Sequence, residues 1–117
     1  MKQTYQEGQT ASFSKTISEY DVYQFAGITG DFNEVHLNQI KAEKSIFKNR
    51  VAHGMLISSF VSTVLGMYLP GPGTIYLKQS LKFCKPVYIG DTITAIVTIR
   101  EIQHEKKRAI LDTRVKN

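Results

Sequence analysis

Asp31 and His36 are the residues of this chain best suited to chemistry, and they stand close together in the segment Thr29-Gly30-Asp31-Phe32-Asn33-Glu34-Val35-His36. A carboxylate and an imidazole on one irregular loop can converge on a single water, one taking its proton while the other delivers or accepts a second. On a solvated surface loop the same pair does nothing, and Asp31 is then a turn residue. A second feature changes the balance. His53-Gly54 opens an apolar helix whose first backbone amides are free to bind a developing oxyanion, helped by the helix dipole. Acid, base and oxyanion donor together fit chemistry beside a thioester carbonyl. Asn33, between the pair, either orients it or holds the loop through its own side chain.

The element that must position these groups runs from Ala52 to Leu69, before Pro70-Gly71-Pro72-Gly73 stops it. Large apolar residues fall on every side of its helical wheel, interrupted only by Ser58, Ser59, Ser62 and Thr63, whose hydroxyls can bond back to helix carbonyls. Such a helix needs cover all round. It is shorter than the roughly 20 apolar residues that span a bilayer, so a sheet curled round it is expected. Residues 1–8 read as a loose lead-in and Gln9 to Ile17 as a first strand around Ala11, Phe13 and Lys15. Ser18-Glu19-Tyr20-Asp21 reads as a capping box opening a helix that ends at Gly27 or Thr29-Gly30, and Asn38 can cap another short helix. Three strands follow Pro72. Thr74 to Phe83 alternates as a half-buried strand should; Thr92 to Ile102 does the same; and Ala109, Leu111, Thr113 and Val115 continue after a hairpin at His104 to Lys107.

A chain of 117 residues makes one domain, taken as residues 1–117. Met-Lys-Gln-Thr-Tyr carries no apolar signal region and neither end a lipidation motif, so a cytoplasmic location is expected, with no membrane anchoring. The single cysteine, Cys84, reads as a small core or interface hydrophobe. A net charge of +5 suits an anionic partner. Nucleotide-bearing cofactors and acidic carrier proteins qualify; the basic residues are too scattered for nucleic acid.

These blocks resemble the MaoC-like hot-dog proteins, and among them the R-specific enoyl-CoA hydratases. Gly30-Asp31-Phe32-Asn33-x-x-His36 is similar to the family's Asp-x-Asn-Pro-x-His signature, and Val51-x-His53-Gly54-Met55-Leu56 to its helix start. Leu69-Pro70-Gly71-x-Gly73-x-Ile75-Tyr76-Leu77, Gln79-Ser80-Leu81-x-Phe83 and Pro86-Val87-x-x-Gly90-Asp91 extend the likeness over nearly the whole chain. The resemblance implies an α+β hot-dog fold, an antiparallel sheet wrapped around a central helix. It implies reversible syn hydration of a trans-2-enoyl-CoA to the R-3-hydroxyacyl product without metal or redox cofactor. Asp31 and His36 would activate the water, Asn33 would orient them, and the Gly54 amide would bind the thioester oxygen. Which of the pair is base stays open. On the substrate side, the acyl tail would lie along positions matching Ser62 and Leu65, which are otherwise ordinary core packing. His53 is grouped with them, although hydrogen bonding near the helix start is its structural reading. Lys41, Lys44, Lys48, Arg50, Lys82 and Lys85 are candidates to meet phosphates, with CoA preferred over acyl carrier protein. A homodimer with paired sheets is expected. The alternatives are a hot-dog thioesterase, which needs its carboxylate aimed at the thioester carbon, and a non-catalytic acyl-thioester-binding subunit.

Two departures stand out. Glu34 replaces the family's usual proline, which removes a restraint on the loop and adds a carboxylate near the pair. Only four strand candidates exist where the family's sheet has five. The sequence is therefore expected to be a C-terminally shortened form lacking the final strand, to accept a partner strand, or to close a rearranged four-stranded sheet.

Overall fold

The computed structural model describes residues 4–117, so the first three residues of the expected lead-in lie outside the described residues. The rest of the lead-in is tied down: the Tyr5 hydroxyl donates to the Pro70 carbonyl at 2.8 Å and the Gly8 N–H to the Ile99 carbonyl at 2.8 Å.

Strand β1 (Thr10–Thr16) leads to helix α1 (Glu19–Thr29), the short helices α2 (Glu34–Leu37) and α3 (Gln39–Glu43), the long helix α4 (Gly54–Met67), and strands β2 (Thr92–Gln103) and β3 (Arg108–Lys116). The sheet is antiparallel in the order β1-β2-β3. Alternation along β2 buries Ile93, Ala95, Val97 and Ile99 on one face, against which α4 packs Val61, Val64 and Leu65. A second cluster joins Ile17, Val22, Ala52, Leu56, Ile57 and Ile93, so α1 is held at the same end of α4 as the His53-Gly54 corner. The capping box is present, with the Ser18 hydroxyl accepting from the Asp21 N–H and the Asp21 carboxylate from the Ser18 N–H; Gly30, in the left-handed region at φ 81°, ends α1.

Residues 74–83 correct the expected second strand. They belong to no strand, and Ile75, Leu77 and Phe83 stand 79%, 67% and 60% exposed. Alternation makes a strand only where a neighbouring backbone completes the ladder. Between this segment and β3 the structure has a side-chain bond, Gln79 Nε2 to Thr113 Oγ1 at 3.1 Å, and no backbone pairing. The sheet therefore has three paired strands and covers one side of α4, leaving Met55, Ser59 and Ser62 exposed on the other. This overturns both the all-round cover expected of the helix and the rearranged four-stranded sheet. The radius of gyration is 16.4 Å, against about 13 Å for a closely packed chain of around 100 residues. Cys84, at the end of this segment, is exposed rather than a core residue. Of the helix hydroxyls, that of Ser59 donates back, to the Leu56 carbonyl at 2.5 Å. Among the described residues no helix is long and apolar enough to cross a membrane.

The Asp21 carboxyl lies below the usual carboxylate range. Burial pushes it up, and the Ser18 N–H, the Lys15 ammonium and the Ser18 hydroxyl more than reverse that. A carboxylate held below its unfolded value adds stability above about pH 4 that is lost as pH falls through the folded value. In urea denaturation, Ser18→Ala is expected to lower the unfolding free energy at pH 7 by about 0.5–2 kcal/mol. Asp21→Asn should also destabilise at pH 7, and its deficit should shrink as the parent's carboxylate is protonated in acid.

Candidate functional site

Asn33 builds the first part of the site. Its side-chain oxygen accepts from the Val35 N–H at 3.2 Å, capping α2, so the chain turns helical three residues after Asp31 and presents His36 from a helical turn rather than a loose loop. This contact is the turn-holding reading of Asn33, its own side chain fixing the loop. Glu34 takes the first helical position of α2. Proline suits that position through its fixed φ, and an acidic residue suits it through the dipole. The Glu34 carboxylate lies 4.0 Å from the Lys41 ammonium.

The next part comes from the corner ahead of α4. His36 Nδ1 lies 2.6 Å from the Val51 carbonyl oxygen. A carbonyl only accepts, so Nδ1 carries the hydrogen and Nε2 is the nitrogen left for chemistry. Val51 is itself fixed, its N–H donating to the Val35 carbonyl at 3.1 Å and its backbone bridging to Tyr88. Asp31, exposed, accepts the Asn33 N–H through Oδ1 at 3.2 Å, which leaves Oδ2 for a water.

His53 completes the cluster. It is the N-cap of α4, yet its side chain makes no capping bond. Its Nε2 instead donates to the Asp31 carbonyl at 3.0 Å, and its ring stacks on that of His36 at 3.8 Å between centroids and 26° between planes. His53 thus hydrogen-bonds at the helix start, as its structural reading expected, but to the Asp31 carbonyl rather than to the helix's own amides. Asp31, His36 and His53 bring one donor atom each within 4.8 Å of one another, a set that includes the ligand types of a divalent cation. The stacking works against a shared ion. Imidazole lone pairs lie in the ring plane, and two nearly parallel planes cannot both direct them at one ion about 2.0–2.1 Å away.

Gly54 follows at the first position of α4, where its N–H has no place in the helix's own ladder. A Cβ there would come within 2.9 Å of the Phe83 ring, so glycine permits the close approach of that ring to the helix start. Ser62 lies eight residues along, about 12 Å at helical rise, on the exposed side. Leu65 is 7% exposed and packs with Val61, Val64, Ala95 and Val97, which makes it a core residue. Of the basic candidates, Arg50 is engaged elsewhere: its guanidinium pairs with Glu19 and donates to the Tyr23 hydroxyl at 2.8 Å, and the Glu19 bond leads the causes that hold it above its ordinary range. Sequence reasoning missed Val51, Phe25 and Phe83. Val51 acts through backbone atoms, which leave no side-chain signal, and Phe25, its ring 4.9 Å from that of His53, lies far away in sequence.

The structure is an antiparallel sheet carrying a long helix, with a carboxylate and an imidazole brought together at the start of that helix. The sequence matches the family described as MaoC like domain over residues 1–117, and the chain belongs to that family. It is 57% identical over 101 residues, 86% of this chain and 70% of the relative, to the (R)-specific enoyl-CoA hydratase of Rhodospirillum rubrum. It is 44% identical over 104 residues, 89% of this chain and 66% of the relative, to the 3-hydroxybutyryl-CoA dehydratase of Methylorubrum extorquens. The solved (R)-hydratase from A. caviae, involved in PHA biosynthesis, superposes with a TM-score of 0.94 at 41% identity, covering 97% of this chain and 86% of that one. The fold is thus the hot-dog fold expected from the sequence.

Leu65→Ala is expected to lower the unfolding free energy by about 2–5 kcal/mol. Ser62→Ala, on the exposed side, should stay within about 0.5 kcal/mol of the parent. Chemical denaturation of the two variants side by side checks the assignment.

Proposed function

We propose that this protein is a hydro-lyase acting as an R-specific enoyl-CoA hydratase, adding water reversibly and on one face across the double bond of a trans-2-enoyl-CoA. The observation that carries the reading is the convergence of the Asp31 carboxylate and the His36 imidazole at the start of α4. The relatives named as enoyl-CoA hydratase and 3-hydroxybutyryl-CoA dehydratase support it.

In this reading the water oxygen bonds to C3 of the enoyl group, one water proton passes to the Asp31–His36 pair, and the pair returns a proton to C2. His36 exchanges its proton at Nε2, because Nδ1–H is held by Val51, and Asp31 binds the water through Oδ2. Attack at C3 moves charge onto the thioester oxygen, where the Gly54 N–H stabilises the enolate more than the ground state. Asn33 holds the turn that aims His36. The acyl tail runs along the open side of α4 past Ser62, with Leu65 behind it. No metal or redox cofactor takes part, and the nearly parallel His36 and His53 rings support that. A homodimer is part of the same reading, supported by the exposed apolar side chains of residues 75–83. So is a cytoplasmic location.

Crotonyl-CoA tests the reading directly. Hydration lowers its ultraviolet absorbance, a thioesterase would release free thiol instead, and a binding module would change neither. Asp31→Asn and His36→Gln are each expected to slow hydration by about 10²–10⁴-fold while leaving the melting temperature close to the parent's. Near-parental turnover by either folded variant would remove that residue from the mechanism. Dialysis against EDTA should leave the rate unchanged, and a loss restored by a divalent cation would replace the acid–base reading with a metal-assisted one.

A further inference from the structure

We propose that His53 is a positioning residue for the reaction: a buried imidazole that holds Asp31 through its backbone and His36 through its ring. The inference rests on the acid–base reading of that pair. His53 is 2% exposed and stands apart as the buried polar side chain in an otherwise apolar core. Its Nδ1 has no hydrogen-bond partner, although it is buried. Burying a polar atom without a partner costs stability, and a phenylalanine would fill the same space without that cost. As the N-cap of α4 it is equally ill suited, since it supplies no capping bond where serine or aspartate would. Neither packing nor capping accounts for an imidazole here.

The polar contact of the His53 side chain and its closest ring contact both go to the pair. The Nε2–H bond of 3.0 Å ties down the carbonyl of Asp31, an exposed residue between the end of α1 and the start of α2. The ring lies against His36 at 3.8 Å, and Phe25, 4.9 Å away, backs it from α1. His36 is therefore fixed by Val51 at Nδ1 and by the His53 ring at its face, which sets the direction of Nε2. Gly54 is the next residue, so one side chain sets the pair relative to the amide that would bind the thioester oxygen. Misplacing reacting groups by an ångström can cost about 10²-fold in rate.

Two replacements separate the contacts. His53→Phe keeps the ring and loses the donor; His53→Gln keeps an amide N–H within reach of the Asp31 carbonyl and loses the ring. With crotonyl-CoA, His53→Phe is expected to lower kcat by about 10–100-fold with KM within about threefold and a melting temperature no lower than the parent's. His53→Gln should recover part of the lost rate. In an Asp31→Asn background, His53→Phe should cost less than about threefold more, because a residue acting through the pair has nothing left to position. Parental kcat in His53→Phe, no recovery in His53→Gln, or a full multiplicative loss in the double variant each overturns the proposal. So does a His53→Phe chain without a cooperative melt, which assigns the Nε2–H bond to folding. Normal turnover by Asp31→Asn alone would sink the acid–base reading itself. Parental turnover by His53→Phe beside an impaired Asp31→Asn sinks only the role of His53.

Discussion

The backbone from Val51 to Gly54 is the constraint on which the site depends. Within four residues the chain bonds to α2 through Val51, to the segment ahead of β2 through the Ala52 N–H and the Val87 carbonyl at 2.8 Å, and to the turn between α1 and α2 through His53. It then begins α4. An isolated bridge to Tyr88, rather than a full strand, leaves the Val51 carbonyl free to take the His36 N–H. Because that oxygen can only accept, a backbone atom fixes which nitrogen of the imidazole carries the held hydrogen.

The apolar clusters serve the same corner. Ile17, Val22, Ala52, Leu56, Ile57 and Ile93 lock α1 and the first turn of α4 against the sheet, while the cluster around Val61, Val64 and Leu65 holds the rest of the helix on β2. Acid–base groups carried on exposed turns are useful only if the turns are fixed from behind. Here Asn33 caps one turn, Ser18 and Asp21 fix the start of α1, and His53 reaches out of the core to the other side of the pair. The open side of α4, with Ser59 and Ser62 exposed, faces away from this packing.

The segment from Thr74 to Phe83 shows the limit of hydrophobic pattern as a guide to structure. Its alternation equals that of β2, yet β2 is sandwiched between β1 and β3 in register along most of its length, and residues 74–83 find no backbone to pair with. A strand is a property of two chains of amides, not of one chain of side chains. Phe83 still reaches the first turn of α4, so the segment stays connected to the site by one ring.

The sequence by itself determined the elements whose causes are local: the Ser18-Asp21 box, the Asn38 cap, the hairpin after Gln103 and the long apolar helix stopped before Pro70 all lie where their residue types require. It also singled out Asp31, His36 and the Gly54 amide as candidates for chemistry by type and spacing. Tertiary structure alone decided how they meet. The tautomer of His36 depends on a carbonyl fifteen residues away, the placement of His53 on a stack and a bond to a distant turn, and the burial of Leu65 beside the exposure of Ser62 on which side of α4 the sheet covers. These are contacts between elements, set by packing and backbone pairing, and side-chain periodicity carries no record of either.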